Sequence, residues 1–433
     1  MKLFYIKSRY DGNKIIKKYK LLGVTLYKRT INSNREKSYS IQDALHKKYR
    51  ILHPLNIKHV DSQSNCYRLN VVLDTIDERY MLGGCGTSVI LAVLFCYKEN
   101  IALRIITRFH KENKESFNKF VSLMRLPKLD NVEFYSDYDR DEFGKSTNKL
   151  FIHNKDLFMA TSWWNAYSIK VTGLSNFYYL IQEDETLFYP NGSLRCFCTD
   201  IFNDSNIRFI VNSKILYENF ALHYKNIVKN GQFFHPAFPT FLYKKINTKK
   251  EKRKLFFYSR PYNERNLYDV GILALDYAIK KNIINTESWD IFFAGSQADE
   301  FYFSNGYKPI FLGQMGWKEY SSFLSDVDVT FCLIYTPHPA YVNLDTLASG
   351  GIAVTNQYEN KKDIDISGNF IIAPLTINGL ADGLDKGIKL SLNPKLRKYN
   401  YDNQLVETNW EHALSNCINF MRDNIPHCLK NGK

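Results

Sequence analysis

The chain has 433 residues, 58 Lys and Arg against 44 Asp and Glu for a net charge of +14, and 45% hydrophobic residues, proportions ordinary for a soluble globular protein. At roughly 100–200 residues per domain this length implies two or three domains. The longest apolar run, Val89–Tyr97, falls far short of the roughly 20 residues a membrane span needs, and MKLFYIKSRY has too short an apolar core for a secretory leader.

The eight cysteines, at 66, 85, 96, 196, 198, 332, 417 and 428, form no CxxC pair, and several sit in apolar runs such as LFCY and FCLIY. Free thiols in a reducing cytoplasm are the expectation, and no zinc signature exists. The expected location is therefore the cytoplasm.

The positive charge gathers at the start. Residues 1–50 hold 14 Lys and Arg against Asp11, Glu36 and Asp43. In KKYKLLGVTLYKRT the cations flank an apolar centre. That layout suits peripheral contact with the anionic inner face of a membrane, at about 1 kcal/mol per cation. A solvated basic extension over 1–66 is an equal reading, and no recognition motif supports nucleic acid as a partner.

Next, β-branched and aromatic runs alternate with helical stretches. RLNVVLDTI reads as a strand, GTSVILAVLFCYKE as a helix after a glycine turn, and ALRIITR, VEFYS, DLFMATSW, NFYYLIQ and IRFIVN as further strands. NKESFNKFVSLMRL has apolar residues at helical spacing. Near-continuous apolar strands alternating with helices signal a parallel sheet covered on both faces. INTKKEKRK breaks the pattern and reads as a linker or exposed turn. The alternation then restarts with strands KLFFYSR, WDIFFAGS, KPIFLG, VTFCLIY, GIAVTN and NFIIAPL. Helices LYDVGILALDYAIKK, WKEYSSFLSDVD, residues 341–350 and ADGLDKGIKLSL intervene or follow, and a last helical segment runs over about 405–424. The fold class is α/β: two doubly wound parallel-sheet domains, at 67–245 and 246–404, with 405–433 closing the chain.

Ligands of such sheets bind beyond the carboxyl ends of the strands and in the cleft between domains. Four strand-end loops qualify. In DTIDERYMLGGCGTS, Gly83, Gly84 and Gly86 let backbone N–H groups approach an anion. In YSRPYNERN, Arg260 and Arg265 beside a helix start form a diphosphate clamp. LGQMGWKEYSSFL offers Gly313 with Trp317 and Tyr320 for a planar base, against a core role for both aromatics. In YTPHPAYVNLDTLASGG, Pro337 and Pro339 stiffen a loop bearing His338, Asp345 lies on the next helix, and Gly350 and Gly351 end it. Asp345 suits hydrogen bonds from sugar or ribose hydroxyls, or simple capping. Three further stretches stay open. YSDYDRDEFG contains a formal DxD at Asp137 and Asp139 but reads as a solvated loop. Gln182, Glu183, Asp184 and Glu185 form an acidic rim, and Trp163 and Trp164 suit stacking on a pyranose or filling a core.

Together, YYLIQEDETLFYPNGS, FFYSRPYNERNLYDVGILAL, YTPHPAYVNLDTLASGGIAVTNQYENK and NVVLDTIDERYMLGGCGTSVILAVL resemble, in order and spacing, the WsaF-type rhamnosyltransferases. These are bacterial GT-B glycosyltransferases of glycosyltransferase family 4, and the likeness runs from about 67 to 425. It implies a GT-B fold whose N-terminal domain takes the acceptor and whose C-terminal domain takes the sugar nucleotide, with a final helix crossing back. It implies retaining transfer of L-rhamnose from dTDP-β-L-rhamnose to a growing surface glycan, such as a capsule or O-antigen, without metal or other cofactor. Arg260, Arg265 and Asp345 take the catalytic positions. The donor set adds Gly84, Gly295, Gly313, Trp317, Tyr320, His338, Pro339, Ala340, Tyr341 and Gly350. The acceptor set is Trp163, Trp164, Gln182, Glu183 and Asp184, with Glu183 or Asp184 assisting the acceptor hydroxyl. Where the family usually carries two glutamates eight positions apart, this chain has Pro337 and Asp345. A sugar-nucleotide epimerase and a non-catalytic module on the same fold are the alternative readings.

Overall fold

A computed structural model describes residues 4–11, 14–21, 24–32, 40–61, 66–81, 83–141, 144–243, 250–362 and 364–425. The first structure in the chain is a correction. Where the basic stretch suggests a plain extension, β1 (Phe4–Asp11), β2 (Lys14–Leu21) and β3 (Val24–Asn32) form an antiparallel three-stranded sheet. Ile15, Ile16, Val24, Thr25, Tyr27 and Ile31 favour strands, and interspersed cations do not prevent backbone pairing. With the helix Ile41–Lys48 and Gly144, this sheet belongs to one compact unit. The described residues from Pro54 onward, Gly144 apart, belong to a second.

The second unit opens with β4 (Ile57–His59) and then builds a seven-stranded sheet from β5 (Arg68–Leu73), β6 (Ala102–Thr107), β7 (Val132–Ser136), and, after the short β8 (Leu150–Ile152) that pairs with β4, β9 (Asp156–Ala160), β10 (Tyr178–Ile181), β11 (Arg208–Asn212) and β12 (Gly231–Phe234). Every pairing in it is parallel, in the order β12-β11-β10-β9-β5-β6-β7. The chain starts in the middle, winds to one edge, and returns to fill the other half, so the direction of winding reverses between β5 and β9. The helix Gly84–Glu99 is apolar all round, and its residues Val89 to Cys96 are buried in the core of this domain.

A six-stranded parallel sheet follows, made of β13 (Arg253–Ser259), β14 (Trp289–Gly295), β15 (Ile310–Gly313), β16 (Val329–Phe331), β17 (Ile352–Asn356) and β18 (Phe370–Ala373). Its order, β15-β14-β13-β16-β17-β18, reverses between β13 and β16. The chain then returns to the first domain. Trp410, Leu414, Cys417, Ile418 and Met421 join the same core as the helix Gly84–Glu99, and the Tyr178 hydroxyl donates to the Met421 carbonyl at 2.6 Å. The terminal helical segment is broken rather than continuous over 405–424, into helices Trp410–Ala413 and Ser415–Asp423.

Residues 246–249 of INTKKEKRK lie outside the described residues, as do 426–433. In the remainder of that basic stretch Glu251 and Lys252 form an exposed bend, as expected, while Lys250 and Lys254 are tied to a buried acid. Asp328 is fully buried and accepts from Lys250 Nζ at 3.1 Å, the Lys254 N–H at 3.0 Å and Arg397 Nη1 at 3.2 Å. A buried carboxylate is stable only when so paired. The seven described cysteines are free, with Cys96, Cys198, Cys332 and Cys417 buried, Cys85 partly buried and Cys66 and Cys196 exposed; Cys428 lies outside the described residues. Among the described residues no helix is long and apolar enough to cross a membrane. Asp328→Ala takes the buried carboxylate from two cations, Lys250 and Arg397, and from the Lys254 N–H, and is expected to lower stability by about 3 kcal/mol. Urea unfolding checks this as a lower midpoint at unchanged slope.

Candidate active site

Both reversals of winding place a crevice at the carboxyl ends of neighbouring strands. In the C-terminal sheet, β13 runs into Arg260 and Arg265, while β16 runs into the Pro-His-Pro loop. The Tyr335 N–H donates to the Arg265 carbonyl at 2.7 Å, tying the two loops together. The loop ends on Ala340 at φ +66°, and the helix Tyr341–Ala348 starts at once. A left-handed alanine costs on the order of 1 kcal/mol, so packing must hold this corner.

That packing comes from the other domain. The Tyr341 hydroxyl receives the Asn212 amide at 2.7 Å and stands 2.6 Å from Thr87 Oγ1, whose own proton goes to the Gly83 carbonyl at 3.0 Å. Tyr341 therefore donates to Thr87. Glu183, just beyond β10, bonds Thr336 Oγ1 and lies 3.1 Å from Arg265 Nη1. At Gly84 a Cβ would come within 2.9 Å of the Gln182 amide, which donates to the Gly84 carbonyl at 2.6 Å, so a side chain there would displace that amide.

Between the two domains lies a cavity of about 590 Å³. Five polar atoms of its lining, Gln182 Oε1, Arg265 Nη1, Trp317 Nε1, His338 Nε2 and Trp410 Nε1, are buried with no hydrogen-bond partner. Arg265 Nη1 meets Glu183 as a charge neighbour, but not in hydrogen-bond geometry. Buried polar groups are almost always satisfied, so such a group points to a ligand that completes it.

The electrostatics are built by burial. Asp345 accepts from Tyr243 at 2.7 Å and from Tyr320 at 3.0 Å, and burial lifts its carboxyl to about 7 against those two bonds. Burial lowers His338 to about 3, aided by Lys361 and Arg265, so its ring is neutral; Nδ1 accepts from the Ala340 N–H at 3.0 Å. Lys361 is fully buried, donates to the Ile334 carbonyl at 2.8 Å, and is lowered by burial to about 7.

Two family models match the chain: the WsaF N-terminal domain over residues 68–213 and the WsaF C-terminal domain over 253–385. The chain belongs to the WsaF family. It is 28% identical over 267 residues to the O-antigen biosynthesis protein RfbC of Myxococcus xanthus, a match that covers 59% of this chain. The chain spans about a fifth of that curated relative's length, the match covering 20% of it. Among solved structures, a TarM variant from S. aureus, in complex with fondaparinux, α-GlcNAc-glycerol and UDP, superposes with a TM-score of 0.58 at 11% identity, over 82% of this chain and 99% of its own. HepE from Anabaena in complex with UDP-glucose gives 0.55 at 11%, over 83% and 100%. These likenesses concern the fold, which is GT-B: two Rossmann-like domains.

Within that fold, twelve of the eighteen residues given catalytic, donor or acceptor roles line the cavity: Gly84, Gln182, Glu183, Arg260, Arg265, Gly295, Trp317, Tyr320, His338, Ala340, Tyr341 and Asp345. Six do not. Trp163 is sealed in the core, its indole donating to the Tyr189 hydroxyl at 3.1 Å. Asp184 caps the turn Glu185–Phe188, accepting from Thr186 N and Oγ1 at 3.0 and 2.6 Å. Gly350 sits at the far end of its helix, where its carbonyl receives Arg397 Nε at 2.7 Å. Gly313 ends the edge strand β15 at φ +66° with nothing near it. The Pro339 carbonyl is turned to the Asn343 amide at 2.8 Å. Trp164 stands at the end of β9, outside the lining.

The DxD stretch is not a solvated loop at its first acid. Asp137 is fully buried against Arg108 at 3.2 Å and Arg140 at 2.8 Å, so two guanidiniums already neutralise it. Sequence reasoning missed Tyr243, Tyr258, Thr87, Asn212, Thr336 and Lys361. Tyr258 acts beside its neighbour Arg260, and each of the others matters through a partner 25 or more positions away or in the other domain.

Asp345 makes a pH-dependent contribution. Its unfolded carboxyl titrates near ~4, so between about pH 4 and pH 7 the folded state holds the extra proton. Its contribution to stability therefore falls as pH rises through that window and levels above it. Relative to wild type, Asp345→Asn is expected to gain on the order of 3 kcal/mol between pH 4 and pH 8. Urea unfolding at both pH values measures this, and a pH-independent difference would count against the buried acid.

Proposed function

We propose that the protein is a retaining glycosyltransferase of bacterial surface-glycan synthesis, with L-rhamnose from dTDP-β-L-rhamnose as its donor sugar. The observation that carries the reading is the pair Arg260 and Arg265, both following β13 and both lining the interdomain cavity, with Arg265 Nη1 short of a hydrogen-bond partner. Names of relatives support it: RfbC is an O-antigen biosynthesis protein, and the HepE structure holds UDP-glucose.

On this reading the nucleoside diphosphate lies at the reversal between β13 and β16. The bond from the anomeric carbon to the diphosphate oxygen breaks, and its electron pair leaves with the diphosphate. Arg260 and Arg265 stabilise that developing charge, the part preorganised cations play in phosphate departure. The acceptor hydroxyl bonds the anomeric carbon from the same face, and its proton passes to the departing phosphate. The two guanidiniums supply the positive charge otherwise given by a metal, so the reaction needs none. Trp317 and Tyr320 flank the base, and His338 Nε2, which carries the neutral ring's proton because Nδ1 accepts from the Ala340 N–H, donates to a sugar hydroxyl oxygen. Asp345 acts differently from an acid that grips hydroxyls alone, since both its oxygens already receive phenols. The acceptor is a glycan or lipid-linked glycan at the inner face of the cytoplasmic membrane, and the basic β1–β3 unit holds the enzyme to anionic lipid there.

Arg260→Ala is expected to lower transfer at least roughly 100-fold, about 2.7 kcal/mol of transition-state stabilisation. A melting-temperature screen against dTDP, UDP, GDP and their sugars reads the donor, since a ligand at 100 times its Kd adds about 2.7 kcal/mol. Near-normal turnover of the variant, or no shift with any nucleotide, refutes the assignment. Deleting residues 2–50 is expected to weaken sedimentation with anionic vesicles at unchanged transfer to a soluble acceptor; equal sedimentation refutes the lipid contact.

A further inference from the structure

The N-terminal sheet has its own reversal, between β5 and β9, and side chains stand there that the proposed chemistry leaves unused. Asp74 follows β5 directly, and Trp164 and Asn165 lie in the first turn of the helix after β9. The Trp164 indole donates to Asp74 Oδ1 at 2.9 Å, and the Asn165 amide donates to the same oxygen at 3.1 Å. Among the described residues no donor reaches Oδ2, and that oxygen is not sealed in the interior. One oxygen is thus anchored twice while the other is presented. The helix does not need Asp74 as a cap, since Ser162 Oγ already receives the Asn165 N–H. Burial raises the Asp74 carboxyl, and the nearby charges of Arg108 and His110 oppose the rise.

Ring contacts link this place to residues of the cavity lining. The Phe188 ring lies 4.0 Å from the Arg265 guanidinium and 6.4 Å from the Trp164 ring. Tyr80, part of the cavity lining and 44% exposed, lies 5.5 Å from the His110 ring. A carboxylate oxygen among partly exposed aromatic rings matches the chemistry of a pyranose, whose C–H faces pack on rings while its hydroxyls donate. A second carboxylate brought to the same place would be repelled.

We infer that Asp74 Oδ2 reads the hydroxyls of a neutral pyranose seated against Trp164 and Tyr80, the sugar end of the acceptor, and that its charge excludes hexuronic acids. This rests on the glycosyltransferase reading above. It makes the two reversals of winding a matched pair, one for the diphosphate and one for the sugar that receives the transfer.

The test uses the full chain with octyl β-D-glucopyranoside, octyl β-D-galactopyranoside, octyl α-L-rhamnopyranoside and octyl β-D-glucuronide as acceptor probes. Asp74→Asn is expected to lower kcat/KM for the preferred neutral glycoside about 30-fold, and to shrink the preference over the glucuronide about tenfold, at unchanged donor Kd. Trp164→Phe keeps a ring but removes the anchoring N–H, and a smaller fall of roughly fivefold is expected. Binding of the same glycosides, followed by tryptophan fluorescence, needs no donor and should weaken in parallel. The inference is overturned if Asp74→Asn, with native melting temperature and donor Kd, keeps both acceptor kcat/KM and selectivity. It is also overturned if wild type binds the glucuronide as well as the neutral glycosides, or binds none of them. Should Asp74→Asn not fold, unchanged glycoside binding and selectivity of Trp164→Phe overturn it. Failure of wild type to bind any nucleotide sugar refutes the glycosyltransferase reading instead, and glycoside binding then still decides the sugar site.

Discussion

The hydroxyl of Tyr341, 2.6 Å from Thr87 and 2.7 Å from Asn212, is the contact on which the site depends. It comes from the C-terminal domain and satisfies itself entirely on the N-terminal one. A phenol buried without those partners would cost on the order of 1–3 kcal/mol. Its position holds the left-handed Ala340 in place, and with it the Pro-His-Pro loop. Domain interfaces within a chain ordinarily permit relative motion. Here Glu183 adds a second crossing, to Thr336 and Arg265, and Asn219 a third, to Glu359.

The same geometry explains the distribution of charge. Arg265 is caught between the Phe188 ring and Glu183, so a diphosphate would compete with a carboxylate already in place. Arg260 lies next to Tyr258, and both line the same cavity. Behind them, Lys361 and Asp345 are both pushed by burial toward neutrality. Charge is thus suppressed at Lys361 and Asp345, the outcome expected when desolvation outweighs any single hydrogen bond.

Asp345 shows how a residue can be located correctly while its surroundings stay hidden. The helix after the Pro-His-Pro loop is legible in YVNLDTLASGG, and so is the acid on it. Its two phenol partners, Tyr243 and Tyr320, come from the segment after β12 and from another helix, and no local pattern joins them. Asp74 is the converse case. It sits inside the stretch DTIDERY, where the glycines that follow draw the eye, and its partner Trp164 is 90 positions away.

Sequence alone determined the alternation of apolar strands and helices, because a strand buried on both faces must be apolar throughout and a helix must show its own period. It also determined the two-domain α/β class and the arginines after the first strand of the second domain. It did not determine the sheet of β1–β3, where cations mask a strand pattern, nor which acids are spent on structure. Asp137 read as part of a solvated loop and Asp184 as an acceptor acid, and both proved to be bound inside. Tertiary structure alone decided those partners and the two crevices, because each is made by segments far apart in the chain, and a hydrogen bond depends on distance in space.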